Sequence, residues 1–257
     1  MTGRGYAPVW CYWVVLPGLV VFWFLIAMAL DSSLLPTPLA VGRTLYAEAA
    51  NGELWLNLGA TLARVAVAFV IAMGLGVTIG VVMGRSETTN ALLDPLLLLM
   101  LNLPALVTII LMYVWFGLVE SAAVLAVVIN KVPNVAVTLR EGARSLDPKL
   151  ESMATAYRFS RWQRAREVWL PQLFPYLMAA MRGGLALIWK IVLVVELLGR
   201  SNGVGFKLNM AFQVFDVATI LAYSLAFVAV VQVIELALLQ PLERRASRWR
   251  RPELAHA

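Results

Sequence analysis

The chain has 257 residues, 61% hydrophobic and 14% charged, with a mean hydropathy of +0.80. A soluble domain carries about 25% charged residues, so water is excluded as the solvent for most of the surface and an all-α polytopic membrane protein is expected. The 21 Lys and Arg against 15 Asp and Glu leave a net charge of +6, and the single cysteine (Cys11) and single histidine (His256) exclude a disulfide framework, a Cys/His metal centre and a Ser-His nucleophile.

The N-terminus carries a basic residue, Arg4, and runs into apolar sequence, as a secretory signal does. The run from about Val9 to Leu30 is too long for a signal core and has no small-residue cleavage site, so it reads as a retained first span. Five further stretches reach the about 20 apolar residues that a helix needs to cross hydrocarbon: residues 59–83, 92–116, 119–139, 172–199 and 217–240. In the second span Gly76, Gly80 and Gly84 recur every fourth residue, a stripe that lets another helix approach closely.

Basic residues set the topology. Arg4, Arg85, seven residues from Arg140 to Arg166 and five from Arg244 to Arg251 fall on one side, fourteen of the 21. Arg43, Arg200 and Lys207 fall on the other, while Arg64, Lys131, Arg182 and Lys190 lie within or at the edges of spans. The positive-inside rule then predicts both termini in the cytoplasm. It also accounts for the net charge without nucleic acid. The basic tail 241–257, with Arg248, Trp249, Arg250 and Arg251, reads as a membrane-surface anchor.

Residues 140–171 form a long cytoplasmic segment dense in charge yet studded with apolar residues, the kind of loop that carries structure and function. A first short helix is predicted from Pro148 to Tyr157, with Asp147 as N-cap and Pro148 at the first helical position. A second is predicted from Ser160, where Ser160-Arg161-Trp162-Gln163 fits a capping box, to about Trp169, ending before Pro171.

This loop resembles the cytoplasmic signature of inner-membrane permeases of bacterial ABC importers: Glu-Ala-Ala, three residues, Gly, nine residues, Ile-x-Leu-Pro. Val168-Trp169-Leu170-Pro171 matches the end, and the spacing places Arg158 at the glycine and Ser152-Met153-Ala154 at the triplet. Glu151 stands one position before the expected glutamate. Arg158 implies either a non-glycine residue at positive φ or a differently shaped turn. Further landmarks resemble the taurine, sulfonate and nitrate type: Leu34-Leu35-Pro36-Thr37-Pro38, Arg64, Gly80 and Gly84, Leu93-Asp94-Pro95, Trp115-Phe116-Gly117, and Glu196 followed by Gly203 and Gly205.

The resemblance implies a type I importer transmembrane fold, one permease domain over 1–257, and a role in moving a small anionic solute across the inner membrane by ATP-driven alternating access. It implies two copies of a separate ATPase subunit that holds ATP and Mg, an extracytoplasmic solute-binding protein, and a second permease copy as homodimer. The chain itself is expected to be non-catalytic and without cofactor, in keeping with the lack of a G-x-x-x-x-G-K-[ST] phosphate loop. The ATPase is expected to meet Glu151, Ser152, Met153, Ala154, Tyr157, Arg158, Phe159, Ser160, Arg161, Trp162, Leu170 and Pro171. Met153, Tyr157, Phe159 and Trp162 would be its apolar anchors. The contrasting reading of the loop is a basic helix lying on anionic lipid, and of the whole chain an ion-gradient-driven carrier or channel.

Ionisable residues inside spans cost at least about 2.5 kcal/mol unless paired or facing water. Lys131 and Lys190 lie roughly 18 and 14 Å from the outer ends of their spans at 1.5 Å per residue, a similar depth. They are candidates for a passage that favours an anion, with Asn130, Asn134 and Trp189 as further candidates. The alternative for each lysine is a buried carboxylate partner or carbonyls freed near Pro133.

Overall fold

The computed structural model describes residues 10–30, 32, 34–239 and 241. The tail from 242, with its predicted surface anchor, and the first nine residues lie outside the described residues. Among the described residues eleven helices follow in order: α1 (Trp10–Leu30), α2 (Pro38–Ala50), α3 (Glu53–Arg85), α4 (Glu87–Asn102), α5 (Ala105–Phe116), α6 (Glu120–Arg144), α7 (Pro148–Ala156), α8 (Arg161–Gln163), α9 (Leu170–Gly199), α10 (Val204–Gln213) and α11 (Val217–Ile234). A π-helical turn, Arg164–Trp169, joins α8 to α9, and another, Glu235–Leu239, extends α11. No strand occurs among the described residues.

Among the described residues four helical segments are long and apolar enough to cross a membrane: Glu53–Arg85, Glu120–Arg144, Arg161–Gly199 and Val217–Ala237. Pro17–Leu30 is a shorter apolar helix. The predicted span 92–116 is not one rod. It divides into α4 and α5, bent by 98°, because Pro104 has no N–H for a helical ladder and holds Leu103 extended at ψ 126°. α3 and α6 run parallel, since Arg64 faces Glu120 at one end while Gly84 faces Ala143 at the other. The chain must therefore recross the bundle between them, and the bent pair makes that crossing.

The core is the α3–α6–α9 contact. A Cβ at Gly76 would lie 2.5 Å from Val135 Cβ, one at Gly84 2.5 Å from Ala143 Cβ, and one at Gly80 would overlap the backbone carbonyl of Ala136. The stripe thus works as the sequence predicts, bringing two backbones together. Gly80→Leu is expected to cost about 3 kcal/mol, since a backbone carbonyl cannot swing aside. Gly74→Leu, with open space around its Cβ position, is the control. Thermal unfolding in detergent separates them; equal melting points would refute the close approach.

The second predicted loop helix does not stop before Pro171. It continues as one 39-residue helix, Arg161–Gly199. Pro171 lacks the N–H that would close an α-helical bond back to Glu167, and the π turn takes up the mismatch: the Leu170 N–H donates to Ala165 O, five residues back.

Candidate functional site

The segment 140–171 caps one end of the bundle. α7 starts as predicted, with Asp147 accepting the Lys149 N–H at 2.8 Å and Pro148 in the first turn. It ends in a Schellman motif in which Phe159 N–H donates to Ala154 O (2.9 Å) and Arg158 N–H to Thr155 O (3.0 Å). Arg158 adopts φ 53°, the first of the two alternatives: a non-glycine residue in the left-handed region. Ser160 then opens the next helix with both bonds of the capping box, Gln163 N–H to Ser160 Oγ at 3.2 Å and Ser160 N–H to Gln163 Oε1 at 2.8 Å.

These two caps decide what faces outward. Tyr157 and Trp162 are each 74% exposed and Met153 41%. Ser152, Arg158, Arg161, Leu170 and Pro171 are exposed beside them, and Phe159 is half-buried. Ala154 is instead fully buried, and Glu151 turns toward the body. Its carboxylate accepts Trp169 Nε1–H at 2.8 Å and pairs with Arg164 Nη1 at 3.2 Å and Arg85 Nη2 at 3.3 Å. The Arg85 guanidinium also lies 4.2 Å from the Trp169 ring centroid. The Trp169 hydrogen bond, with the two arginines, holds the Glu151 carboxyl below the ordinary carboxylate range. Sequence spacing gives no sign of Arg85, 66 positions away.

The membrane candidates do not converge. Asn130 and Asn134 share a face, and each donates its amide to the carbonyl four residues back, Ala126 O at 2.8 Å and Asn130 O at 3.2 Å. Lys131 is 4% exposed and makes no hydrogen bond or ion pair among the described residues. Its chain crosses α9 where Gly184 has no side chain: a Cβ there would lie 3.0 Å from Lys131 Cε and 3.6 Å from Nζ. Lys190 is exposed and lines a cavity of about 510 Å³ between α9, α10 and α11, with Trp189, Leu193 and Phe227. Trp189 meets Phe227 edge to face at 5.7 Å. Neither lysine has a carboxylate within salt-bridge range among the described residues.

At the opposite end lies a buried polar network whose members the sequence marks singly but does not connect. Arg64, 5% exposed, bonds Glu196 Oε1 through Nη1 (2.6 Å), Glu120 Oε1 through Nε (2.5 Å) and Asn202 O through Nη1 (2.9 Å), with Asn202 Oδ1 as a further partner. Glu196, fully buried, also accepts Thr61 Oγ1–H and Gly205 N–H, each at 2.9 Å. Gly203 (φ 112°) leaves room for the Glu196 carboxyl, and a Cβ at Gly205 would overlap Leu193 O. Thus the two glycines and Glu196 form one joint that holds α10 against α3 and α9.

No cluster of three metal-ligating side chains occurs among the described residues. Residues 72–240 match the family model of binding-protein-dependent transport system inner membrane components. The chain is similar to a putative aliphatic sulfonates transport permease protein of Bacillus subtilis (strain 168), 30% identical over 244 residues, covering 94% of this chain and 88% of that one. It is similar to the taurine transport system permease protein of Escherichia coli (strain K12), 30% identical over 237 residues, covering 90% and 86%. A bicarbonate transport system permease protein of Synechococcus elongatus is 28% identical over 164 residues, covering 63% and 59%. Among solved structures, an inward-facing methionine ABC transporter superposes with TM-score 0.59 at 17% identity, covering 77% of this chain and 95% of that one. An amino acid ABC transporter crystallised with histidines gives 0.56 at 21%, covering 75% and 92%.

Proposed function

The chain belongs to the binding-protein-dependent transport system inner membrane component family, and from that premise we propose that it forms the passage of an importer for a small organic anion of the sulfonate class. It is the multi-pass inner-membrane permease subunit of an ABC importer, working with an ATPase and a solute-binding protein. The gradient-driven carrier is not favoured. Within this reading both termini are cytoplasmic, residues 140–171 face the cytoplasm, and two permease copies sit over two ATPase subunits that bind ATP and Mg. The permease itself is non-catalytic. Sulfonate and taurine relatives support the anion, as do two lysines in the apolar helices without carboxylate partners among the described residues.

One observation carries the coupling part: the capped turn presents Tyr157 and Trp162 at 74% exposure, flanked by Arg158 and Arg161. Large aromatics held rigidly in a charged aqueous loop are anchors for a partner groove. ATP-driven closure of the ATPase pair would move these anchors, and the bundle would change access as a rigid body. Trp162→Ala is expected to weaken retention of the ATPase subunit about 30-fold, the scale of an interface hot spot, while leaving the melting point of the permease unchanged. Full retention in a pull-down would overturn the docking assignment.

A further inference from the structure

We infer that Glu151 is the positioning residue that links the docking surface to the transmembrane helices during ATP-driven import; the inference rests on the docking reading above. α7 is fastened to the body along a narrow seam. Its one buried residue is Ala154, and its packing partner is the π turn Arg164–Trp169. At its start the Asp147 N–H donates to Gln172 Oε1 at 2.8 Å. Within this seam the Glu151 carboxylate engages two transmembrane elements at once, Arg85 in the last turn of α3 and both Arg164 and Trp169 in the π turn that leads into α9.

Both elements reach the far end of the bundle. α3 carries the glycine stripe against α6 and, nearer its start, the buried Arg64, whose partner Glu196 stands on α9. The π turn is the place where the regular ladder of Arg161–Gly199 is already interrupted, and such turns accommodate local shifts of register. A displacement of α7 is therefore delivered to α3 and α9 together through one side chain. Tyr157, Arg161 and Trp162 make no bond to Glu151 among the described residues, so docking and transmission are separable by substitution.

The test uses the permease–ATPase complex with Cys11→Ser and a reporter cysteine at Ser224→Cys, in the wall of the cavity between α9, α10 and α11, labelled with a membrane-impermeant maleimide without nucleotide and with ATP plus vanadate. With Glu151 in place, nucleotide is expected to change the labelling rate at least about fivefold. Glu151→Gln is expected to retain the ATPase yet reduce that change to less than about twofold. Trp169→Phe, which removes one of the three bonds while keeping an aromatic ring, is expected to fall between. A full nucleotide-driven change in both variants would overturn the inference, and so would loss of the ATPase from Glu151→Gln, which would make Glu151 a docking contact. Absence of any nucleotide-driven change with Glu151 present and the ATPase retained would overturn the inference and leave docking standing, whereas full ATPase retention by Trp162→Ala would overturn the docking reading.

Discussion

Replacing Arg64 by Met is expected to cost about 3 to 5 kcal/mol, the range for breaking a buried ion pair from one side. The magnitude follows from what is left behind. Glu196 is fully buried, and without the guanidinium its carboxylate would keep only the neutral donors Thr61 Oγ1 and Gly205 N. Glu120 and the Asn202 carbonyl would also lose their bonds to Arg64, although Glu120 is about half exposed and keeps Arg200 at 2.7 Å. The loop from Arg200 to Gly205 is held by this network, so α10 should loosen first. The double variant Arg64→Met with Glu196→Met removes both charges and is expected to recover part of the loss. Thermal unfolding in detergent should show a drop of about 10 °C for the single variant. A single variant no less stable than the double would sink the account.

What the sequence disclosed and what it withheld divide along a physical line. Local rules sufficed for the Asp147 and Ser160 caps, for the glycine stripe, and for the alternatives at Arg158, because each depends on residues within one or two helical turns. Hydropathy found apolar length but carries no angle, so the run 92–116 read as one span despite Pro104. Pro171 was a stop signal for an α-helix, and only a π turn, set by tertiary packing, lets the helix pass it. Within the polar network Arg64 reaches partners 56 to 138 positions away, beyond any periodicity. Its sequence signal was nonetheless present: an arginine inside a span requires a partner, and Glu196 is the sole carboxylate in α9. Glu151 is one of the residues expected from the sequence to meet the ATPase, and its carboxylate is engaged inside the molecule by Trp169, Arg164 and Arg85, which no local rule discloses.

Lys131→Met is expected to lower import of an alkanesulfonate or taurine probe at least about tenfold, about 1.4 kcal/mol of lost stabilisation of the passing anion, without lowering the melting point. The two halves of that expectation discriminate between a pathway role and a packing role. A lysine buried to 4% exposure with no hydrogen bond among the described residues is a net cost to folding. An uncharged chain of similar length should then leave stability equal or higher, whereas a lysine kept for packing or pairing would be missed on heating. Gly184 belongs to the same arrangement, since any side chain there would press on the Lys131 chain. Lys190→Met should have the smaller effect, because its ammonium is exposed and more readily replaced by water and counterions. Trp189, Leu193 and Phe227 give its cavity an apolar wall, with Arg182 and Glu235 also among its lining residues. Uptake by proteoliposomes holding the full transporter measures both variants, with ATP hydrolysis as the check that the ATPase remains engaged. Wild-type rates for both would remove the lysines from the pathway and leave anion selection to the solute-binding protein.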